Sequence, residues 1–222
     1  MTTALNLADR DLRQRDLVPP EKLAACKVTV IGVGAIGRQV AIMLAAMGVR
    51  WLQLFDHDTV DVVNLAPQGY FPADLGRPKV DAMVCLLRQI KPDTQIHARP
   101  ERFRRSTTDY GNVIFMCVDA IDTRKLLFES VGQKVDFLGD GRMAAEVLRV
   151  LTVTDHTSRM YYPTTLFTAS EAFRGACTAK ATGYCASVAA GIMISQFTKW
   201  LRGIPCERDV TLNLLAAELS VM

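Results

Sequence analysis

The chain has 222 residues, of which 50% are hydrophobic and 22% are charged, a composition that excludes disordered, collagen-like and disulfide-scaffold proteins. The formal net charge of +3 is too small to indicate a nucleic-acid or membrane-surface partner. The longest apolar stretches, such as residues 41–49, are far shorter than the about 20 residues of a membrane-spanning helix. We therefore expect a soluble protein with neither partner.

The first third of the chain predicts a strand, a turn, a helix and a second strand. Residues 1–18 form a polar arm without apolar periodicity, which ends before Pro19 and Pro20. The β-branched run Lys27–Ile31 ends at a glycine-rich turn, and residues 39–47 then have the pattern of a helix. A short apolar run, Trp51–Phe55, completes a βαβ unit.

Alternation of helices and strands continues to the end of the chain, interrupted by two segments without periodicity. We expect a functional loop over residues 58–76 and a crossover loop over about residues 155–182. Helices are predicted at 78–91, from about 122, and at 185–201; strands are predicted at 95–98, 113–118, 136–139, 146–154 and 210–215. The predicted fold is α/β: a doubly wound, Rossmann-like, largely parallel sheet with helices on both faces, forming one domain over residues 19–222.

The turn after the first strand matches G-x-G-x-x-G through Gly32, Gly34 and Gly37. Its position between a strand and a helix is typical of a turn that binds nucleotide phosphates with backbone amides. Asp56 ends the second strand about 20 positions later, where a carboxylate can accept the ribose hydroxyls. The turn predicts nucleotide binding without choosing between NAD, FAD and ATP.

An ordered set of motifs extends this pattern from about residue 10 to 155. The set comprises Arg10-Asp11-Leu12-Arg13-Gln14, GVGAIG, Asp56-His57-Asp58-Thr59-Val60, Asn64-Leu65, Gly76-Arg77-Pro78-Lys79-Val80 and Cys117-Val118-Asp119. It resembles the ThiF/MoeB/HesA adenylyltransferases of the ubiquitin-activating-enzyme superfamily. The resemblance implies ATP- and magnesium-dependent adenylation of the C-terminal carboxylate of a ubiquitin-like or sulfur-carrier protein. It also implies a homodimer or a heterodimer with a related subunit.

The resemblance assigns a role to each matching residue. The glycine turn, Asn64 and Lys79 would bind the nucleotide phosphates, Asp56 would bind the ribose with Asp58 beside it, and Asp119 would hold magnesium at the reacting centre. Lys79 begins a predicted helix, where a cation beside the positive helix end needs an anionic partner. Asp119 follows a buried strand, at the edge where open α/β sheets bind ligands.

Arg13 resembles an arginine that reaches the ATP of the partner subunit across the dimer. The alternative is a solvated arm whose charge Asp9, Asp11 and Asp16 balance. Two departures from the family pattern stand out. Pro67 occupies the position of a second phosphate-binding arginine, which predicts slower or partner-assisted catalysis. The two C-x-x-C pairs of many members are missing, so we expect no structural zinc.

The six cysteines contain no C-x-x-C pair, which favours a reducing cytoplasm. Cys177-Thr178 resembles the acceptor Cys-Thr of the ubiquitin-activating branch, and Arg174 and Lys180 favour its thiolate. Its alternative is an ordinary loop cysteine. Cys185, at the head of the last helix, is a competing acceptor because a helix N-terminus also favours thiolate. Cys85 and Cys117 lie in apolar runs and are predicted to be in the core.

Two other functions stay open at the level of sequence. The first is a nucleotide-binding scaffold that has lost turnover and supports an active partner, which Pro67 favours. The second is an NAD-dependent oxidoreductase, although nearly all of the chain is consumed by one sheet and little is left for a substrate domain.

Overall fold

The computed structural model describes residues 10–167 and 182–222. Within these ranges the chain forms one sheet whose eight strands are β1 (Lys27–Ile31), β2 (Trp51–Phe55), β3 (Gln95–Arg99), β4 (Val113–Met116), β5 (Phe137–Ala144), β6 (Val147–Val153), β7 (Asp209–Asn213) and β8 (Glu218–Val221). Their order across the sheet is β3-β2-β1-β4-β5-β6-β7-β8. The numbering reverses direction at β1, which is the signature of a doubly wound sheet.

The sheet is parallel from β3 to β5 and antiparallel from β5 to β8. All four residues of β4 are buried, and so are four of the five residues of β1. Continuous apolar runs are what a parallel strand needs when helices cover both of its faces. The exposed strand β8 forms the far edge of the antiparallel part.

In the described part of the chain, seven α-helices accompany the sheet: α1 (Pro20–Ala24), α2 (Ala35–Met47), α3 (Val62–Gln68), α4 (Lys79–Ile90), α5 (Ile121–Val131), α6 (His156–Tyr161) and α7 (Gly183–Arg202). Helices α2, α4 and α7 share one apolar core on one face of the sheet, and α5 contributes to a second core on the other face. Helices therefore cover both faces, as predicted. None of the helices in the described ranges has the length and apolarity to cross a bilayer.

Aromatic side chains fill both cores. On the α7 face, the ring of Phe197 lies 5.6 Å from that of Phe115 and 5.3 Å from that of Phe137, both in edge-to-face contact. On the α5 face, Phe128 stacks on Tyr162 with 4.4 Å between ring centroids. These buried pairs pin α7 to β4 and β5 and hold α5 against the segment that follows α6.

Most predicted elements are confirmed, and the differences occur where local chemistry overrides periodicity. The segment 58–76, predicted as irregular, contains α3, which a capping box of Asp61 and Asn64 begins and the left-handed Gly69 ends. The segment predicted to be aperiodic from residue 155 begins with α6, which Asp155 caps through the backbone amide of Ser158. Both helices are shorter than the two turns that an apolar period needs to be visible.

Three boundaries also differ from the prediction. Helix α2 begins at Ala35 rather than at residue 39, because the last glycine of the turn is already helical. Strand β5 continues to Ala144 instead of ending at residue 139, and it forms a tight hairpin with β6 whose turn places Ala145 at a φ of 53°. Strand β8 was not predicted, since its exposed residues show no alternation that a core would impose.

The described part of the N-terminal arm contacts the end of α2. The guanidinium of Arg10 donates to the carbonyls of Ala45 and Ala46, and the Gln14 amide donates to that of Met47. These carbonyls belong to the last turn of α2, where the Ala45 carbonyl also accepts the Gly48 amide and the others lack a donor from a following turn. The division between an arm over residues 1–18 and a domain over 19–222 stays a prediction.

The glycine turn is shaped by close backbone approach. Gly32 has a φ of +87°, and a Cβ at this position would lie 2.7 Å from the carbonyl oxygen of Cys117. A Cβ on Gly37 would lie 1.8 Å from the carbonyl oxygen of Gly32. Backbone atoms cannot turn aside as a side chain can, so only glycine lets α2 start this close to the end of β1.

We predict that Gly37→Ala lowers the free energy of unfolding by about 3 kcal/mol or more, because its methyl group overlaps a backbone carbonyl. Gly34→Ala is the matched control: a Cβ there meets nothing within 4 Å. Its effect should stay within about 0.5 kcal/mol. Urea unfolding of both variants measures the difference, and equal losses would contradict the steric account.

Candidate functional site

The candidate site lies at the carboxyl edge of the parallel strands, where the strand order changes direction between β1 and β4. The glycine turn leaves β1 on one side of this switch point, and the segment 117–119 leaves β4 on the other. The close approach of Gly32 to Cys117 shows that the two exits are in contact. Open α/β sheets bind their ligands in this crevice.

Four helices begin at this edge. Helices α2 and α5 follow β1 and β4 directly, and α4 begins where the Lys79 amide donates to the carbonyl of Asp58, just beyond β2. The start of α7 is fixed at the same edge by the Tyr184 hydroxyl, which donates to Glu146 in the β5–β6 hairpin. Helix N-termini present unpaired amides and a positive dipole end, so the crevice favours an anion.

Asp56 connects β2 to the glycine turn. Its Oδ2 accepts the backbone amide of Val33 at 2.8 Å, and its Oδ1 accepts that of Asp58 at 2.9 Å. A carboxylate has about four acceptor positions, so two stay open for the hydroxyls of a sugar. The Tyr70 hydroxyl donates to the Val33 carbonyl at 2.7 Å, so the two peptides that flank Val33 are both fixed.

Lys79 is buried, with 5% of its surface exposed. Its Nζ lies 3.0 Å from Oδ2 of Asp58, so the cation that begins α4 has a carboxylate partner within the chain. Burial alone would raise the pKa of Asp58, but the hydrogen bond and positive charge of Lys79 outweigh it and lower that pKa below its ordinary value. The pair holds an ammonium group ready beside the crevice.

Asp56, His57 and Asp58 place two carboxylates and an imidazole within 4.8 Å of one another. Of the residues described, these form the group whose geometry could hold a metal ion. An imidazole is a ligand typical of zinc, copper, iron or nickel, whereas magnesium prefers oxygen. Because Asp58 already pairs with Lys79, this group does not replace Asp119 as the candidate magnesium ligand.

Asp119 is exposed at the exit of β4, on the opposite side of the crevice from Asp56. Arg124 fixes the peptide before Asp119, because its guanidinium donates to the carbonyl of Val118 and pairs with the fully buried Asp140. Asp140 also accepts a hydrogen bond from Nε of Arg142 at 2.8 Å. One buried carboxylate thus fixes two arginines and, through Arg124, the segment that carries Asp119.

The other phosphate candidates are less closely grouped. Asn64 is half-buried in α3, where its Oδ1 accepts the backbone amide of Asp61 at 3.0 Å and completes the cap. The exposed Arg13 lies in a 3-10 turn beside the C-terminal end of α2. A 13-residue helix is about 18 Å long, so Arg13 is far from the glycine turn of its own chain.

The structure changes the interpretation of the cysteines. Cys177 lies outside the described residues. Cys185 is fully buried, and burial followed by the charge of Glu146 raises its pKa, so the expectation that the helix N-terminus favours its thiolate is wrong. Cys85, expected in the core, is exposed, and its Sγ lies 3.1 Å from Nη2 of Arg77. It faces outward because α4 buries only one stripe.

Two residues that shape this site were not predicted from the sequence. Tyr70 and Arg38 are both buried beside the glycine turn, with the Arg38 guanidinium carbon 5.2 Å from the Tyr70 ring centroid. Neither belongs to a motif that spacing alone reveals. The arginine carried one signal, because a charged residue directly after Gly37 interrupts an otherwise apolar helix start.

A glycine turn at the switch point of this sheet defines a Rossmann-like, doubly wound α/β protein. Comparison with family models matches residues 8–220 to the ThiF family. The chain therefore belongs to the ThiF family, as its motifs predicted.

Individual relatives and a solved structure agree with this assignment. The chain is 31% identical over 158 residues to the adenylyltransferase and sulfurtransferase uba4 of Aspergillus terreus, covering 64% of this chain and 32% of that protein. It is 34% identical over 110 residues to the sulfur carrier protein ThiS adenylyltransferase of Escherichia coli, covering 47% of this chain and 44% of that protein. It thus spans less than half of either relative.

The crystal structure of selenomethionine PaaA resembles this chain with a TM-score of 0.78 at 17% identity, covering 100% of this chain and 75% of that one. At this identity the likeness shows the fold, a Rossmann-like sheet with the same overall arrangement.

The Asp58–Lys79 pair generates a prediction on stability and pH. Lys79→Gln should lower the free energy of unfolding at pH 7 by about 1 kcal/mol, a modest figure because Asp58 is half-exposed. The native pKa of Asp58 lies below its ordinary value of 3.8, so the pair stabilises above about pH 4 and is lost as pH falls further. The difference between the two proteins should therefore vanish in acid.

Urea unfolding at neutral and at acidic pH measures this effect. Lys125→Gln is the matched control, since Lys125 is exposed and forms no ion pair with the described residues. A loss for Lys79→Gln that persists unchanged in acid would contradict the assignment to Asp58.

Proposed function

We propose that this protein activates a carboxylate by ATP-dependent adenylation. The observation that carries the proposal is the convergence at one crevice of the glycine turn, of Asp56 bound to that turn, and of Asp119 on the facing strand exit. Membership of the ThiF family and the adenylyltransferase names of both relatives support the same reaction.

In this proposal, different residues of the crevice bind different parts of the nucleotide. The amides of the glycine turn and the start of α2 bind phosphate oxygens, and the open acceptor positions of Asp56 bind the ribose, with Asp58 beside it. Lys79 and the free amide of Asn64 also bind phosphate. When a triphosphate binds, Lys79 exchanges part of its interaction with Asp58 for a phosphate oxygen, which keeps the ammonium paired throughout.

The reaction joins an oxygen of the acyl carboxylate to the α-phosphorus and breaks the bond from that phosphorus to the bridging oxygen, so that pyrophosphate leaves. Magnesium would neutralise charge on the phosphates. Asp119 fits this ion: it is an exposed carboxylate at the strand edge, and magnesium is commonly bound by one or two carboxylates together with substrate phosphates. The Arg124–Asp140 pair positions the segment that carries it.

The acyl partner in this proposal is a ubiquitin-like or sulfur-carrier protein, presented by its C-terminus. The names of the two relatives, one a sulfurtransferase and one specific for a sulfur carrier, support this class of partner. Transfer of the acyl group to Cys177, a dimeric assembly and a cytoplasmic location belong to the same proposal. The proposal includes no structural zinc.

Asp119→Asn is predicted to lower carrier-dependent exchange of labelled pyrophosphate into ATP by about 100-fold while ATP still binds, because one oxygen ligand for magnesium is lost. The matched control is Asp122→Asn, which changes the same charge on the first turn of α5. Exchange should stay near the wild-type rate in that variant.

Absence of exchange from the wild-type protein with its carrier would contradict the enzymatic proposal. If ATP nevertheless binds by calorimetry, and exchange appears only when a related subunit is added, the protein is a nucleotide-binding scaffold. Pro67, at the end of α3 where the family pattern has an arginine, is the observation that favours this second function.

Arg13 generates a prediction on assembly. Its place beside the far end of α2 keeps it away from the crevice of its own chain, so in this proposal it acts at the crevice of a partner subunit. Arg13→Ala and Asp119→Asn should each be inactive alone. Mixed and re-equilibrated, they should regain about a quarter of wild-type exchange, since half of the dimers then carry one intact site.

In the control, Arg13→Ala is mixed with a double variant that carries both Arg13→Ala and Asp119→Asn. This mixture can form no intact site. Recovery with the double variant, or no recovery with the single one, would contradict a role for Arg13 across the dimer.

A further inference from the structure

Arg38 is a buried cation directly beside the glycine turn. It lies in the first turn of α2, immediately after Gly37, and only 6% of its surface is exposed. Its guanidinium carbon lies 5.2 Å from the ring centroid of Tyr70, whose hydroxyl donates to the carbonyl of Val33 in the turn. The guanidinium therefore lies close to the glycine turn, between α2 and the end of α3.

This guanidinium has no anionic partner among the described residues. Its Nε is buried without a hydrogen bond, and no carboxylate of the described ranges pairs with it. The charge of Asp74 favours the protonated form of Arg38, but Asp74 accepts a hydrogen bond from the amide of Phe71 and pairs with Arg77. The rings of Tyr70 and Phe71 cover the cation without neutralising it.

A buried charge without a partner is costly, and proteins retain one only where something supplies the counter-charge. Burial lowers the pKa of Arg38, yet an arginine stays protonated at neutral pH. Cation–π contacts with two rings recover part of the lost hydration. They leave Nε, one of the donors that a guanidinium normally uses as a fork, without an acceptor.

Two neighbouring buried atoms share this lack of partners. Oε1 of Gln68 has no hydrogen bond, and neither has Oγ1 of Thr182. Both residues are next in sequence to a glycine at the same end of α3: Gln68 precedes Gly69, where a Cβ would lie 3.2 Å from Nη1 of Arg38. Thr182 precedes Gly183, where a Cβ would lie 3.7 Å from the carbonyl oxygens of Ala66 and Pro67. Polar groups are thus left unsatisfied around one small region.

We propose that the guanidinium of Arg38 binds the polyphosphate of the nucleotide in the crevice. This inference rests on the proposed function and adds a residue to it. A phosphate group supplies the missing negative charge and two acceptor oxygens in the planar spacing that a guanidinium fork matches. The start of α2 and the glycine turn, to which the Tyr70 hydroxyl is bonded, also favour an anion.

The competing account gives Arg38 a purely structural role, as a spacer whose charge the two rings and the carbonyls at the C-terminal end of α3 stabilise. The two accounts differ in what the side chain recognises. If Arg38 is only a spacer, its loss weakens the binding of every ligand of the crevice equally. If Arg38 binds phosphate, its loss weakens the binding of ATP and not of adenosine.

The experiment measures binding of ATP, inorganic tripolyphosphate and adenosine to the wild-type protein and to Arg38→Met by calorimetry and competition. Loss of one charge-assisted contact should weaken ATP and tripolyphosphate by about tenfold to a hundredfold and leave adenosine unchanged. Arg38→Lys, which keeps the charge but not the fork, should fall between the two. Arg88→Met is the control. Arg88 is an exposed arginine in the last turn of α4, so this variant should bind all three ligands as the wild type does.

Equal weakening of ATP and adenosine in Arg38→Met, or no weakening of either, would overturn this inference while leaving the adenylation proposal intact. A wild-type protein that binds neither ATP nor tripolyphosphate would overturn both. Circular dichroism establishes that each variant is folded, and if Arg38→Met does not fold, the same comparison with Arg38→Lys decides the question.

Discussion

The candidate site depends on one steric constraint, the contact between the glycine turn and the exit of β4. Gly37 brings the start of α2 against the backbone of Gly32, and Gly32 meets the carbonyl of Cys117. Because no side chain fits at either contact, the helix begins directly above the gap between β1 and β4. The amides of α2 and the carboxylate of Asp119 then lie on opposite sides of one crevice.

Around this contact, charges of both signs are arranged in layers. Positive helix ends and the ammonium of Lys79 line the crevice, while Asp56 and Asp58 hold the turn and the ammonium in place. Behind them, the buried Asp140 pairs with two arginines and steadies the segment before Asp119. Preorganised groups of this kind stabilise charge without first having to reorient, which is what phosphoryl chemistry requires of a protein.

The residues of the nucleotide-binding motif could be recognised from the sequence because the motif is local. Gly32, Gly37 and Asp56 have fixed spacings around one strand and one helix, and the chain folds them as that spacing implies. Short capped helices such as α3 were not predicted, since one or two turns leave no period. The burial of Cys185 and Arg38 was also hidden, because it depends on α3 and α7, which are distant in sequence from β1 and α2.

The alternation of strands and helices in the nucleotide-type half, the position of the glycine turn and the class of ligand it favours could all be predicted from the sequence, because they follow from apolar runs and conformational limits within about 30 residues. The pairing of charges became visible in the folded chain alone. Lys79 has Asp58 as its partner, and Arg38 has none among the described residues. Such pairing depends on distances between helices that share no local sequence, so no periodicity records it.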